Sequence, residues 1–231
     1  KGLYQLFSSL NIKKYSAIAD LHNVIRTKII RSFLLFSRKP IAVIDKGRKE
    51  KKALARQKNK HLFQLKTSFE RYAQVFEKLG YPVAIDQQFF LLKTMIPSEI
   101  ENYKKEGKKI IGIAPFARYH EKTYPVELMK EVVKELNKEI NIKIIFFGGG
   151  EKELSILKQW EQEFNNTLVI AGKLSLHDEL KWISSLHLMI SMDSANMHLA
   201  SMFQVPVISI WGATHPFAGF LGWQQQSSLV V

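Results

Sequence analysis

The stretch Ser191-Met-Asp-Ser-Ala-Asn-Met-His-Leu-Ala200 is the most informative part of the sequence, because it is predicted to join a buried strand directly to a helix. The apolar run 188–191 predicts the strand, and residues 195–203 predict the helix. Asp193 and Ser194 therefore fall just past the carboxyl end of the strand, where α/β proteins bind their ligands. The free N–H groups of the helix start face the same place and favour an anion such as phosphate.

Strands and helices alternate through the second half of the chain. Apolar runs predict strands at 109–114, 142–147, 168–171, 188–192 and 207–211, and amphipathic segments predict helices at 126–137, 151–164, 176–185 and 195–203. Continuous apolar strands joined by helices predict a parallel sheet with helices on both faces. Each strand ends in small or polar residues, so a ligand crevice is expected along one edge of the sheet.

The first half repeats this pattern with fewer elements. Strands are predicted at 17–21 and 41–44, and helices at 23–36 and 68–79. Two strands do not form a stable open sheet alone, so this half is expected to be the latter part of a second α/β domain. We therefore predict a partial domain over 1–95, a linker over 96–108, and a Rossmann-like domain over 109–231 that is either complete or truncated at its end.

Positive charge is concentrated in the first half of the chain. The net charge is +13, and residues 1–105 hold 22 Lys and Arg against 8 Asp and Glu, while residues 106–231 hold 12 against 13. In the run 46–60, eight of fifteen residues are basic. Such a run is most often a solvated face, but it also suits contact with an anionic lipid, an acidic saccharide or nucleic acid.

Composition restricts the compartment and the chemistry. The chain has no cysteine, which excludes disulfides, thiolate metal sites and cysteine nucleophiles. No apolar run is long enough to span a bilayer, and no secretory signal is present. We therefore expect a cytoplasmic protein. The sequence starts at Lys1, inside a predicted helix, and is interpreted as a fragment.

Two loops of the second half carry candidate ligand-binding residues. Arg118, His120 and Lys122 follow the first strand, and Lys122 is a candidate phosphate ligand because this loop opens onto the predicted crevice. The run Gly148-Gly-Gly150 lets the backbone approach a ligand, but it lacks the spacing of a P-loop, so a simple turn is an equal interpretation. Glu151 either caps the next helix or accepts hydrogen bonds from ribose hydroxyls.

Catalytic triads and metal sites are not predicted. Ser194 and His198 are one turn apart on a single helix and no nucleophile elbow is present, so Asp193, Ser194 and His198 do not suit a hydrolase. His198 is expected to pack behind the crevice, with direct ligand contact as the alternative. No cluster has metal-ligand spacing, and we expect Lys, Arg and helix starts to neutralise a bound phosphate.

Five ordered blocks within residues 111–223 resemble the donor-binding domain of glycosyltransferase family 9, the ADP-heptose:lipopolysaccharide heptosyltransferases. Residues 20–27, Asp-Leu-His-Asn-Val-Ile-Arg-Thr, are similar to a stretch of the family's acceptor domain. The five blocks are Pro115-Phe-Ala117 with Lys122-Thr-Tyr-Pro125, Phe147-Gly-Gly-Gly-Glu151, Gly172-Lys-Leu-Ser-Leu176, Asp193-Ser-Ala-Asn-Met-His-Leu-Ala200, and Pro206-Val-Ile-Ser-Ile-Trp-Gly-Ala-Thr214.

The resemblance implies a GT-B fold of two Rossmann-like domains, the N-terminal one incomplete in this chain. It implies inverting, metal-independent transfer of a heptose or related sugar from an ADP-sugar to the lipopolysaccharide inner core, without a cofactor. The implied donor-binding residues are Lys122, Ala117, Gly149, Glu151, Asp193, Ser194, Ala195, Asn196 and His198. The residues implied to contact the acceptor or an anionic surface are Arg26, Lys46, Arg48 and Lys49. Their positive charge suits a phosphorylated lipid at the inner face of the inner membrane.

Two features depart from the family's pattern. Ala195 stands where family members usually have Gly. Its methyl group is expected to lie beside the diphosphate and to change how the donor fits. The family's general-base aspartate is expected upstream of Lys1, so no catalytic residue is predicted within the sequence.

Two other functions remain open from the residues alone. A sugar-nucleotide epimerase of GT-B type is less favoured, because the Asp193 block belongs to the transferase pattern. A non-catalytic module for anionic surfaces or nucleic acid would use the run 46–60. That run lacks interleaved aromatic residues, so no nucleic-acid partner is expected.

Overall fold

The computed structural model describes residues 2–12, 15–35, 38–56, 58, 62–85, 90–91 and 95–231. The chain divides into two compact units. The first comprises residues 1–87 with 217–219, and the second comprises residues 88–216 with 220–231. No helix in the described ranges is both long enough and apolar enough to cross a membrane.

A short parallel sheet and four helices make up the described part of the first unit. Strands β1 and β2 pair in parallel, with Ala19 opposite Ala42. A small core forms where Ala42, Ile44 and Val75 are buried. The elements in chain order are α1 (Gly2–Ile12), β1 (Ile18–Asp20), α2 (Ile25–Leu34), β2 (Ile41–Val43), α3 (Arg48–Leu54) and α4 (Ser68–Lys78).

Buried Arg71 ties α4 to the basic helix α3. Its guanidinium donates to the carbonyl oxygens of Lys66 and Asp45 and lies 2.6 Å from the Glu50 carboxylate. Arg71 is 4% exposed, so these acceptors replace the water that a buried charge requires. The contacts fix the start of α3, from which Arg48 and Lys49 extend into solvent.

The second unit is a five-stranded parallel sheet in the order β5-β4-β3-β6-β7. Alternate residues of its central strands are buried in two separate cores, with Ile110 in one and Ile111 and Ile113 in the other. Helices therefore cover both faces, as the apolar strands predict. The elements are α5 (Ser98–Lys105), β3 (Lys109–Ala114), α6 (Val126–Asn137), β4 (Ile142–Phe146), α7 (Glu151–Glu163), β5 (Thr167–Val169), α8 (Leu176–Ser184), β6 (Leu188–Met192), α9 (Ala195–Met202) and β7 (Val207–Ile210).

Element boundaries differ from the prediction where burial continues beyond a strand. The predicted strand 168–171 is instead β5, Thr167–Val169, because the chain turns after it and Lys173 N–H donates to the carbonyl of Ile170. Ile170 and Ala171 are buried in that turn, which explains why they look like strand residues in the sequence. Helix α2 is shorter than the predicted 23–36, and position 36 lies outside the described residues.

The two units also differ from the predicted domain limits. The predicted linker 96–108 contains α5, whose Ile100 is fully buried in the core of the second unit, so this segment packs as part of that unit. Residues 217–219 group with the first unit, where Leu65 N–H donates to the carbonyl of Phe217. Positions 92–94, next to the predicted linker, and three positions of the basic run, 57, 59 and 60, lie outside the described residues.

We expect Gly112→Ala to destabilise the second unit. A methyl group at position 112 in β3 would lie 2.5 Å from Leu186 Cδ1 and 2.9 Å from Phe147 Cε2. Overpacking of this kind costs about 1 to 3 kcal/mol of unfolding free energy. Urea denaturation followed by tryptophan fluorescence measures it, because all four tryptophans lie in this unit.

Gly149→Ala is the matched control, since no atom lies within 4 Å of the added methyl group. Its stability should change by less than about 0.5 kcal/mol. Equal stability of the two variants would contradict the packing described around β3.

Candidate functional site

A cavity of about 310 Å³ lies at the carboxyl ends of β3, β4 and β6. Parallel strands bring these ends to one edge of the sheet, which is where α/β folds bind ligands. Three segments line it: the loop after β3, the loop after β4, and the start of α9. The lining residues are Ala114, Phe116, Ala117, Arg118, Tyr119, Lys122, Phe147, Gly148, Gly149, Glu153, Asp193, Ser194, Ala195 and Asn196.

The loop after β3 is held by its own hydrogen bonds and by the loop after β7. Ala117 N–H donates to Thr123 Oγ1 at 3.3 Å, and Lys122 N–H donates to the carbonyl of Tyr119 at 3.0 Å. From the other loop, Ala213 N–H donates to the carbonyl of Glu121 at 2.9 Å. These bonds hold the backbone of the loop at Lys122 in place.

Gly212 allows this close approach of the two loops. A side chain at position 212 would collide with the backbone carbonyl oxygen of Glu121 and lie 3.4 Å from Lys122 Cα. Only glycine fits between the loops in this arrangement. The glycine in the Trp211-Gly-Ala block therefore acts on the site by letting the Lys122 loop pack.

Asp193 accepts two hydrogen bonds on one carboxylate oxygen. Lys122 Nζ lies 2.5 Å from Asp193 Oδ2, and Thr214 Oγ1 donates to the same oxygen at 2.7 Å. The side chain of Asp193 is 7% exposed and that of Lys122 is 24% exposed, so the ammonium borders the cavity while the carboxylate supports it from within. An ammonium has three N–H donors, so Lys122 Nζ keeps donors for an anionic group besides the one given to Asp193.

The start of α9 presents free N–H groups to the same cavity. Ser194 is the N-cap residue but its side chain makes no capping bond, and the first turn of α9 contains no acidic residue. Its hydroxyl oxygen lies 3.0 Å from that of Ser191 instead. The first N–H groups of a helix have no partner within the helix and carry partial positive charge, so this end attracts an anion.

The start of α7 already has its own carboxylates. Glu151 and Glu153 are in its first turn, and Glu153 Oε2 accepts a hydrogen bond from Gly149 N–H at 2.9 Å. An anion is therefore favoured at α9 over α7, although both helices begin beside the cavity.

Glu153 lines the cavity, whereas the predicted Glu151 is exposed and does not. Glu153 could have been found from the sequence, because it lies three residues after Gly150, the N-cap residue of α7. A carboxylate at this position often accepts a hydrogen bond from the backbone before the helix. Arg118 and Tyr119 also line the cavity although neither was predicted to bind the donor.

His198 lies in the second turn of α9 and is not among the lining residues. Burial lowers its pKa, against a raising effect of the Asp193 charge, and the Lys122 charge lowers the pKa further. The imidazole is therefore neutral near pH 7. Its direct contact with a ligand stays a prediction, as does that of Glu151.

The predicted acceptor-side residues all lie in the first unit. Arg26 and Arg48 line an open cavity of about 760 Å³, together with His22 and Lys28, whereas Lys46 and Lys49 do not line it. This cavity begins at the carboxyl end of β1, where His22 N–H and Asn23 N–H donate to Asp20 Oδ1.

Asp20 is ionised in this loop. Burial raises the pKa of the Asp20 carboxyl, but the hydrogen bonds from Asn23, His22 and Thr27 and the charge of Arg31 outweigh it and lower the pKa overall. The Arg31 guanidinium lies 3.2 Å from Asp20 Oδ2. The charged carboxylate thus fixes the turn from β1 into α2.

Across the described parts of the chain, no group of three or more His, Asp or Glu side chains lies close enough together to hold a metal ion.

Known proteins share this architecture and part of the sequence. Lipooligosaccharide heptosyltransferase 2 of Campylobacter jejuni is 28% identical over 148 residues, which is 62% of this chain and 44% of that protein. The matched region thus spans less than half the length of this relative.

Two solved structures superpose over nearly the whole chain. The E. coli heptosyltransferase WaaC with ADP has a TM-score of 0.68 at 20% identity, covering 99% of this chain and 70% of that one. E. coli ADP-heptose lps heptosyltransferase II has a TM-score of 0.65 at 18% identity, covering 99% and 72%. The parallel α/β architecture is therefore of the GT-B type that the resemblance implied.

The family model described as "Glycosyltransferase family 9 (heptosyltransferase)" matches residues 3–228. This span includes the strand ends, the Lys122 loop and α9, the segments that form the cavity. The chain belongs to glycosyltransferase family 9.

Proposed function

We propose that this chain belongs to an enzyme that transfers a heptose from ADP-heptose to the inner core of lipopolysaccharide, with the cavity holding the donor. The observation that carries the proposal is the convergence of Lys122, buried Asp193 and the uncapped start of α9 on one cavity. Similarity to a heptosyltransferase solved with ADP and to an ADP-heptose heptosyltransferase, both from E. coli, supports this choice of donor.

The diphosphate of the donor would lie between Lys122 and the start of α9. Lys122 Nζ offers a localised positive charge, and the N–H groups near Ala195 and Asn196 offer directional donors. Beside Gly149 an anion is less favoured, because the Glu153 carboxylate is negative and already accepts the Gly149 N–H group. The donor would therefore bind with its diphosphate toward α9.

Asp193 is suited to bind a hydroxyl group of the transferred sugar. A carboxylate has about four acceptor positions, and Lys122 and Thr214 occupy two of them on Oδ2. The remaining positions can accept sugar O–H groups. Asp193 would thus link the sugar to the same lysine that binds the diphosphate.

The reaction would be an inverting displacement at the anomeric carbon. The acceptor hydroxyl gives up its proton to a base, its oxygen forms the new bond to the anomeric carbon, and the bond from that carbon to the ADP phosphate oxygen breaks. Negative charge then develops on ADP, where Lys122 and the start of α9 stabilise it. We assign no residue of this chain as the base.

The acceptor would approach the first unit, at the basic residues Arg26 and Arg48. A phosphorylated lipid precursor at the inner face of the inner membrane matches their charge, and the protein would then work in the cytoplasm beside that membrane. Transfer would need no cofactor.

We expect ADP to raise the melting temperature of the protein, and Lys122→Gln to remove most of that increase. Loss of a charge-assisted hydrogen bond costs about 1.5 to 3 kcal/mol, which weakens ADP binding by about tenfold to a hundredfold. Differential scanning fluorimetry and calorimetric titration with ADP measure both effects.

Lys152→Gln is the matched control, since Lys152 is an exposed lysine in the first turn of α7 that does not line the cavity. It should bind ADP like the unchanged protein. If Lys122→Gln bound ADP with unchanged affinity, Lys122 would not be the diphosphate ligand.

We also expect ADP binding to be insensitive to metal removal. Lys122 and the α9 start supply the positive charge that a divalent ion provides in other diphosphate sites. Titration with ADP in excess EDTA should give the same dissociation constant as titration in Mg²⁺. A large loss of affinity in EDTA would contradict metal independence.

A further inference from the structure

Helix α2 has an exposed apolar face on the first unit. Ile25 is 77% exposed, Ile29 is 39% exposed and Phe33 is 44% exposed. These residues are four apart, so they lie along one side of the helix, and Leu34 on the opposite side is buried. We refer to Ile25, Ile29 and Phe33 as the α2 stripe.

Basic residues border the α2 stripe on both sides. With about 100° between successive residues, Arg26 lies on one flank of the stripe, one turn from Ile29, and Lys28 lies on the other flank, one turn from Ile25. Neither α2 nor α1 contains an acidic residue. Arg31, the third basic residue of α2, is turned inward to Asp20, so the outward basic residues are those that flank the stripe.

The surface extends beyond α2. Helix α1 packs on it through Phe7 and Phe33, whose ring centroids are 5.3 Å apart, and α1 also exposes Tyr4. In the other direction, Ile25 and Ile29 line the same open cavity as Arg48 of α3. Apolar and cationic groups are thus contiguous from α2 to the basic helix.

We propose that the α2 stripe and its flanking cations dock the first unit onto an anionic phospholipid bilayer. An apolar helix face bordered by cations inserts into the headgroup region, while the cations bind lipid phosphates. A protein partner is less favoured, because neither α1 nor α2 contributes an acidic residue, so the face carries one sign of charge, which matches lipid phosphates. The inference deepens the proposed function, on which it rests for the membrane-bound acceptor.

The test is cosedimentation of the protein with vesicles of phosphatidylglycerol and phosphatidylethanolamine, compared with vesicles of phosphatidylcholine alone. Binding is expected to the anionic vesicles only, and to weaken as salt is raised. The Ile25→Ser/Ile29→Ser variant should bind the anionic vesicles about tenfold or more weakly, because the two apolar side chains that would be buried in lipid are gone. Both residues are solvent-exposed, so the fold should be retained.

Two controls separate docking from other effects. Ile140→Ser removes an isoleucine of matched exposure, 78%, from the second unit and should bind vesicles normally. Arg26→Gln/Lys28→Gln should weaken binding about tenfold, since each cation near the surface contributes about 1 kcal/mol.

Equal binding to both vesicle types, or unchanged binding of Ile25→Ser/Ile29→Ser, would overturn the proposal. The proposal would also fail if the unchanged protein did not bind vesicles but self-associated in solution, and if Ile25→Ser/Ile29→Ser abolished that self-association. The α2 stripe would then be a protein interface. ADP titration of the same variant should be unchanged. If the unchanged protein did not bind ADP, the proposed donor site would be wrong, but the conclusion from the vesicle experiment would not change.

Discussion

The ion pair between Lys122 and Asp193 is the interaction on which the candidate site depends. It joins a loop that follows β3 to the end of β6, and Thr214 adds the loop after β7 through the same carboxylate oxygen. The strand order places β3 and β7 on either side of β6, so the three loops meet only because the sheet is parallel. Gly212 then allows the backbone contact that holds the Lys122 loop.

Electrostatics within the cavity follow from how two helices begin. Helix α9 begins without a capping side chain or an acidic residue, whereas α7 begins with two glutamates, one of which bonds the preceding glycine. The start of α9 is therefore open to an anion, whereas the start of α7 already carries its own carboxylates. The first unit has a different charge arrangement, in which Arg71 positions the basic helix α3 and Asp20 holds the inward Arg31 of α2.

Much of the fold, and part of the candidate site, could be predicted from the sequence for identifiable physical reasons. Continuous apolar strands predicted the parallel sheet, and Asp193-Ser-Ala predicted the strand end and helix start, because both signals are local. The Lys122 to Asp193 contact spans 71 residues, so it required the fold. Glu153 replaced Glu151 as the lining carboxylate because helix phase decides which of the two faces the cavity. The linker prediction at 96–108 missed that Ile100 is a core residue, since a single apolar anchor in a charged segment gives little periodicity.

In our proposal the diphosphate of the donor binds between Lys122 and the start of α9. The decisive measurement is a crystal structure of the protein with ADP. We expect phosphate oxygens within hydrogen-bond distance of Lys122 Nζ and of the backbone N–H groups at Ala195 or Asn196. A diphosphate bound at the start of α7, or away from Lys122, would contradict it.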